Sequence, residues 1–318
     1  MLDSLRVAVA GASGIGKHHA KWFAQWGCEV VAFSGTSEAS CKTTAATLRE
    51  LFGFDGGAYT DLGNLIANEH PHIVDICTPN ERHYDGVETA LSQGCHVLCE
   101  KPLIWDARES DLVQRGETLL RLAREKNLHY GVATQYAAAA AYYDSATGYR
   151  RDSDELTEIG VEMETLARQQ RGGREVWIDM GPHPLSLLLS WMPEGRIDLD
   201  SLKTDLSARS ASASFVFDDG ERRCDCFLLA KDADSGGLRR RFGVNGAFVD
   251  VSGRNNDQGV YESVLRFAKA ELLCPDFMSL LIKQFVDAVR GEVHSPMVPA
   301  SVGLRNLELQ LQILNAAR

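Results

Sequence analysis

Short apolar runs alternate with amphipathic stretches through the first 133 residues. Leu5 to Ala10 (LRVAVA) reads as a buried strand, a glycine-rich turn follows, and His18 to Trp26 opens a helix that Gly27 ends. Cys28 to Phe33 is a second strand, and a helix from Ala39 to Phe52 carries apolar residues at Leu48, Leu51 and Phe52. A strand-like Ala58-Tyr59, a short helix from Leu62 to Asn68 and the strand His72 to Cys77 come next. A helix from His83 to Gln93 and the strand His96 to Cys99 follow. A helix from Ala107 to Lys126 then leads to the strand Leu128 to Ala133. Strands separated by helices of this length are the rhythm of a doubly wound parallel sheet of the Rossmann type.

The rhythm changes after residue 133. Ala137 to Ala141 is a run of alanines, and Tyr149 to Glu155 is charged and poor in strand formers. Ile159 to Leu166, Ala211 to Phe217, Arg223 to Ala230 and Arg241 to Val251 read as strands, separated by turns such as Asp218-Asp219-Gly220 and Asp234-Ser235-Gly236-Gly237. Ala211 to Phe217 alternates small and apolar residues as a half-buried antiparallel strand does. Helices from Asp276 to Arg290 and from Val302 to Ala316 end the chain. The expected division is a dinucleotide-binding domain over 1–133 and, over 134–318, an α+β substrate-binding and oligomerisation domain with an open, mainly antiparallel sheet. Two domains imply a cleft.

Composition narrows the function. With 33 Lys and Arg against 44 Asp and Glu, the 318-residue chain carries a formal charge of −11. That balance argues against nucleic-acid partners, which require clustered positive charge. No stretch of 18 apolar residues occurs and the first residues do not read as a secretory signal, so a cytoplasmic protein with no membrane partner is expected. Eight cysteines at 28, 41, 77, 95, 99, 224, 226 and 274 lie in a chain long enough to need no disulfides. Neither Cys95 with Cys99 nor Cys224 with Cys226 has the spacing of a zinc knuckle, so no metal is expected.

The turn Gly11-Ala12-Ser13-Gly14-Ile15-Gly16 follows the first strand. Gly11 permits the tight turn, Gly16 lets helix and strand approach, and the amides around Ser13, Gly14 and Ile15 are free to hold a pyrophosphate. A short-chain dehydrogenase would need Tyr-x-x-x-Lys, and no tyrosine here is followed by Lys at that spacing. A phosphate-loop nucleotidase would need Ser or Thr where His18 stands. At the end of the second strand, Ser34-Gly35-Thr36-Ser37 offers hydroxyls and no carboxylate before Glu38. That pattern leans towards NADP over NAD, since a carboxylate would repel a 2′-phosphate. The same serines also suit a helix cap.

Three further strings are more specific. Thr78-Pro79-Asn80-Glu81-Arg82-His83 follows the strand ending at Cys77, Glu100-Lys101-Pro102 follows Cys99, and Asp179-Met180-Gly181-Pro182-His183 lies in the second half. With Ile15-Gly16, His19-Ala20 and the helix end Phe285 to Gly291, they resemble the glucose-fructose oxidoreductase, inositol dehydrogenase and rhizopine-catabolism (Gfo/Idh/MocA) family of NAD(P)-dependent oxidoreductases along essentially the whole chain. The resemblance implies that Gly11 to Gly16, Ser34, Thr36, Ser37, Thr78, Pro79, Asn80, His83, Glu100 and Lys101 hold the cofactor. It implies a cis Lys101–Pro102 bond that turns the lysine inward. It makes His183 the acid/base and Asp179 a substrate contact, and it implies homo-oligomers formed through the open sheet face.

The chemistry of these residues is consistent with those roles. An ammonium at the carboxyl end of a parallel strand is placed to hydrogen-bond a reacting oxygen, and an imidazole exchanges protons near neutrality. If Asp179 and His183 share a helical turn, their spacing of four puts them on one face. Ser186 stands where many family members carry Asp, and Thr134-Gln135-Tyr136-Ala137-Ala138 offers only Gln135 and Tyr136 as substrate contacts. The expected reaction is hydride transfer between nicotinamide and a secondary alcohol or ketone of a sugar, amino sugar or cyclitol. A redox-neutral elimination using bound NAD and a non-catalytic NAD(P)-binding regulator are the alternatives.

Overall fold

The computed structural model describes residues 4–108, 110–166, 171–234, 238–257 and 260–317. They form two compact units, Met1–Ala133 with Met278–Leu304, and Thr134–Phe277 with Arg305–Arg318.

In the first unit the chain runs β1 (Arg6–Ala10), α1 (Gly16–Gln25), β2 (Glu29–Ser34), α2 (Glu38–Phe52), β3 (Gly57–Tyr59), α3 (Leu62–Glu69), β4 (Ile73–Ile76), α4 (His83–Ser92), β5 (His96–Glu100), α5 (Leu112–Glu125) and β6 (Tyr130–Ala133). The strands order as β3-β2-β1-β4-β5-β6. Each neighbouring pair is parallel. Strand order therefore reverses between β1 and β4, the switch point outside whose carboxyl ends such sheets take their ligands. Helices cover both faces, which is why Val7, Ala8, Val9, Ile73, Val74 and Ile76 are all buried and the strands read as unbroken apolar runs.

The division of the chain differs from a single cut at 133/134, because residues 278–304 return to the first unit. Two observations explain the return. The edge strand β6 is closed by a backbone bond from Val132 N to Val298 O at 2.9 Å and a bridge between Gly131 and Pro299. Helix α9 (Phe277–Arg290) has the buried stripe Leu281, Ile282, Phe285 and Val286, and Phe285 lies against Gly131, where a Cβ would come within 3.0 Å of its ring.

The second unit holds α6 (Tyr136–Thr147), β7 (Glu158–Leu166), α7 (Gly173–Met180), α8 (Pro182–Trp191), the short strands β8 (Arg196–Ile197) and β9 (Lys203–Asp205), β10 (Ser210–Asp218), β11 (Arg223–Ala233), β12 (Arg240–Val244), β13 (Ala247–Asn255), β14 (Tyr261–Phe267) and β15 (Ala270–Pro275). Helix α10 (Ala300–Ala316) contributes its residues from Arg305 onward. The nine-stranded sheet runs β15-β14-β13-β12-β7-β11-β10-β8, with β9 also on β10. It is mixed, since β7 and β11 pair in parallel while the other neighbours are antiparallel.

The single strand expected over Arg241 to Val251 is a hairpin. Asn245 and Gly246 take φ of 51° and 78°, the left-handed pair that a tight two-residue turn requires. The alanine run became α6, whose buried Ala138, Ala139 and Ala140 allow close packing. In its core Tyr143 donates to Ala247 O at 2.7 Å, accepts from Val244 N at 3.0 Å, and packs on Trp191 and Phe242 with ring centroids 5.4 and 5.7 Å away.

Candidate functional site

The glycine turn sits at the switch point. Gly11 has φ +89°, and a Cβ there would lie 2.6 Å from Cys77 O, so the loops after β1 and β4 touch in a way only glycine allows. A Cβ on Gly16 would meet Gly11 O at 2.5 Å. Ser13, Gly14 and Ile15 are exposed, and a Cβ on Gly14 would meet nothing within 4 Å. No side chain caps the start of α1, and although His18 N and His19 N bond Ile15 O, the amides before them are left for an external acceptor. An open, side-chain-free cradle with unspent amides at a helix start fits a pyrophosphate. Across the switch, the buried Thr78 Oγ1 has no hydrogen-bond partner among the described residues.

At the end of β2, Ser34 is buried and Thr36 and Ser37 are exposed. Ser37 caps α2, accepting from Ser40 N at 3.2 Å, while Ser40 Oγ accepts from Ser37 N at 3.1 Å. The Ser37 hydroxyl is thus spent on the cap, and Thr36 Oγ1 lies 3.4 Å from Ser40 Oγ.

Beneath the turn lies a buried network that the sequence reading left unassigned. His19, on α1, and Asp75, on β4, are wholly buried. His19 Nδ1 is 3.0 Å from Asp75 Oδ2, and its Nε2 is 3.2 Å from Glu100 Oε1. Cys77 donates its thiol to Asp75 Oδ2 at 3.1 Å. Burial opposes charge on the imidazole, but the Asp75 carboxylate 3.0 Å from Nδ1 outweighs it and His19 titrates well above 6.5. Burial, then Asp75, push the Cys77 thiol up, so it stays protonated and able to donate. The donor atoms of His19, Asp75 and Cys77 lie within 4.8 Å of one another, the one such set with metal-ligand character among the described residues, and here they hydrogen-bond one another. The signal was legible: a lone carboxylate inside HIVDIC demands a buried partner.

This network reaches the lysine. Glu100, buried at the end of β5, accepts Lys101 N–H on Oε2 at 3.2 Å. The Lys101–Pro102 bond is cis. His83 Nδ1 lies 2.9 Å from Pro102 O and Nε2 lies 3.1 Å from Thr78 O, so the ring ties the Thr78-Pro79-Asn80 turn to the Lys101-Pro102 turn. Burial lowers its pKa. The neutral ring has one N–H and donates to one of these two carbonyls while packing against the other, which makes His83 a strut for these loops. Pro79 is exposed, and Asn80 begins a single 3-10 turn, Asn80–Arg82.

In the second unit Asp179 and His183 do not share one helix. Asp179 ends α7 and His183 begins α8, because Pro182 and Pro184 lack the amides that would continue the ladder. Gln310 Nε2 donates instead to Ile178 O at 2.8 Å, and Asn306 Nδ2 donates to Pro182 O at 2.8 Å. Gly181 keeps helical angles, φ −54° and ψ −33°, across the junction. Ser186 Oγ donates to His183 O at 2.7 Å, so this hydroxyl is spent inside α8. Tyr136 is buried with its ring 5.3 Å from that of His183, whereas Gln135 is half-buried at the start of α6.

Two arginines that the sequence reading did not single out join this group. Arg171 donates to Asp179 Oδ2 at 2.7 Å and to both oxygens of the buried Asp232 at 2.6 and 2.9 Å. Its charge is held well up, first by the hydrogen bond to Asp232 and, against the opposing effect of burial, by Asp179. Arg240 lies near Tyr136, where its charge opposes the upward push that burial gives the phenol.

Comparison with known proteins agrees with this geometry. Residues 5–134 match the family model described as "Oxidoreductase family, NAD-binding Rossmann fold". Over these residues the chain is similar to the NAD-binding domain of the Gfo/Idh/MocA family. Relatives include the levoglucosan dehydrogenase of Pseudarthrobacter phenanthrenivorans, 27% identical over 145 residues covering 44% of this chain and 35% of that protein. The D-glucoside 3-dehydrogenase of Escherichia coli is 35% identical over 100 residues, 31% of this chain and 27% of that protein. The chain thus matches about a third of these curated relatives' length. The fold extends further: a UDP-N-acetylglucosamine 3-dehydrogenase of Acidithiobacillus ferrooxidans superposes with a TM-score of 0.75 at 20% identity, over 100% of this chain and 98% of that one. An inositol dehydrogenase homolog from Azotobacter vinelandii, complexed with NADH and myo-inositol, gives 0.74 at 18% identity over 100% and 96%. Among the described residues no helix is long and apolar enough to cross a membrane.

Proposed function

We propose that this protein is an NAD(P)-dependent oxidoreductase acting on a secondary alcohol or ketone of a sugar, amino sugar or cyclitol. The observation that carries the reading is Lys101, anchored by Glu100 at the carboxyl edge of the sheet whose switch point bears an open glycine cradle. Relatives named as dehydrogenases of levoglucosan, D-glucosides and inositol support the substrate class.

Bound NAD(P) would supply the hydride acceptor or donor. The amides around Ser13, Gly14 and Ile15 would hold its pyrophosphate, Ser34 and Thr36 its adenosine ribose, and Thr78, Pro79 and Asn80 would line the opposite side of the switch point. Lys101 donates a hydrogen bond to the reacting oxygen, His183 takes or returns the hydroxyl proton, and Asp179, oriented by Arg171, accepts a hydroxyl of the substrate. NADP is the favoured cofactor, since no carboxylate precedes Glu38 after β2. The dinucleotide belongs to the first unit and the substrate contacts to the second. Self-association through the uncovered sheet face, where Phe227 is 42% exposed, accounts for that apolar side chain.

Calorimetric titration with NADP and NAD, followed by a panel of sugars scored for reduced nicotinamide, tests the proposal. Binding of either cofactor with turnover of a polyol supports it, and failure to bind both overturns it.

A further inference from the structure

The residues around His183 hold a cation whose partners are all neutral. Arg240 opens β12 two positions before Phe242, and strand alternation puts both on the same face of the sheet. That face is the one covered by helices, since Phe242 is buried with its ring 6.4 Å from Tyr136 of α6 and 6.1 Å from Trp191 of α8. Arg240 is half-buried there. It donates through Nε to Glu164 O at 3.2 Å and lies near Tyr136, on which its charge acts and whose ring lies 5.3 Å from that of His183. Among the described residues no carboxylate pairs with it: Glu164 binds Arg239 N and Lys231, Glu162 pairs with Arg239, and Asp232 is occupied by Arg171.

Tyr261 adds a second phenol to this face. It sits opposite Asn255, and its ring lies across Gly253, where a Cβ would come within 1.7 Å of the hydroxyl. It is 43% exposed. The neighbouring carboxylate Asp179 is 41% exposed and bound to Arg171 through Oδ2, a group suited to sugar hydroxyls. A guanidinium that, among the described residues, bonds a backbone carbonyl and lies beside a phenol is suited to an anion, because charge-assisted bonds are about twice as strong as neutral ones.

We propose that Arg240, beside Tyr136 and on the sheet face it shares with Tyr261, is the specificity determinant of the substrate site and selects a sugar or polyol that carries an anionic group, a carboxylate or a phosphate. The proposal rests on the oxidoreductase reading only for the location of the reacting carbon near His183.

The test uses the NADP(H)-loaded protein and three probes: a hexose, the corresponding uronate and the corresponding hexose phosphate. Each is titrated calorimetrically into wild type, Arg240→Ala and Arg240→Lys, and turnover is followed in parallel. The expected result is that one anionic probe binds at least tenfold more tightly than the hexose, the better of the two identifying the group. Arg240→Ala should abolish that preference without weakening the hexose, and Arg240→Lys should keep part of it. Retained cofactor affinity and melting temperature show that the variants fold. Equal or tighter binding of the hexose by wild type, or equal loss for charged and neutral probes in Arg240→Ala, overturns the assignment even if the hexose is oxidised. Anion-selective binding without turnover of any probe upholds it while counting against the hydride-transfer reading.

Discussion

Replacing His19 by Leu probes the network beneath the glycine turn. The substitution leaves Asp75, wholly buried, and Glu100, nearly so, without the cation between them. Breaking a buried charge pair by removing one partner costs about 3–5 kcal/mol, most of it the penalty of the bare carboxylate. In a unit of this size each kcal/mol moves the melting temperature by roughly 2–4 °C, so a fall of about 6–20 °C is expected. Adding Asp75→Asn should recover part of the loss, because the second substitution removes the uncompensated charge. The sign of the pH dependence follows from His19 titrating above 6.5 in the folded chain. Its contribution is complete below the unfolded value and is lost as pH rises through the folded one. Wild type should therefore lose stability relative to the His19→Leu/Asp75→Asn double variant as pH is raised above about 6.5. Thermal melts of the three proteins across this range measure both effects. A single variant melting within about 2 °C of wild type, or a wild type that gains on the double variant as pH rises, would refute the assigned charges.

Lys101→Ala should lower turnover roughly a hundredfold with cofactor affinity nearly unchanged, since the ammonium acts mainly as charge develops on the reacting oxygen; normal turnover would remove it from the chemistry. His183→Asn should fold and bind cofactor while kcat falls by about two to four orders of magnitude, and the pH profile of kcat/KM should lose an ionisation. A variant that melts early yet turns over normally would make this histidine a packing residue. Gly14→Val should leave the melting temperature almost unchanged, because a Cβ there meets nothing within 4 Å, yet weaken NADP binding at least tenfold in calorimetry. Unchanged affinity would mean that the cradle does not hold the cofactor.

Local chemistry explains which features the sequence revealed. The parallel sheet was readable because strands buried on both faces show as apolar runs, and Gly11, Gly16 and Lys101-Pro102 stand at loop positions set by the order of those strands. The second unit was harder. The parallel pairing of β7 with β11 joins residues more than sixty positions apart, and no local pattern records it. The strands β14 and β15 went unmarked because neither alternates cleanly: β14 buries Ser263, Val264 and Leu265 in succession, and β15 leaves Leu273 exposed. The segment 278–304 follows the second sheet in sequence, but its Val298 carbonyl is the partner of an edge-strand amide at Val132. Similarly, Asp179 and His183 looked like one helical turn by spacing, until Pro182 and Pro184 interrupted the ladder and Gln310 took up the Ile178 carbonyl that Pro182 leaves without an amide. Arg171 and Arg240 carry no motif, and their roles emerge only from the side chains they meet in space.

The central claim is hydride transfer between substrate carbon and nicotinamide. A sugar that the protein turns over, deuterated on its ring carbons, is incubated with the oxidised cofactor, and the nicotinamide is isolated for mass spectrometry and NMR. The account predicts one deuterium at the nicotinamide C4 for each keto sugar formed. Consumption of the sugar with no reduced cofactor accumulating, or with protium from solvent at C4, would contradict it.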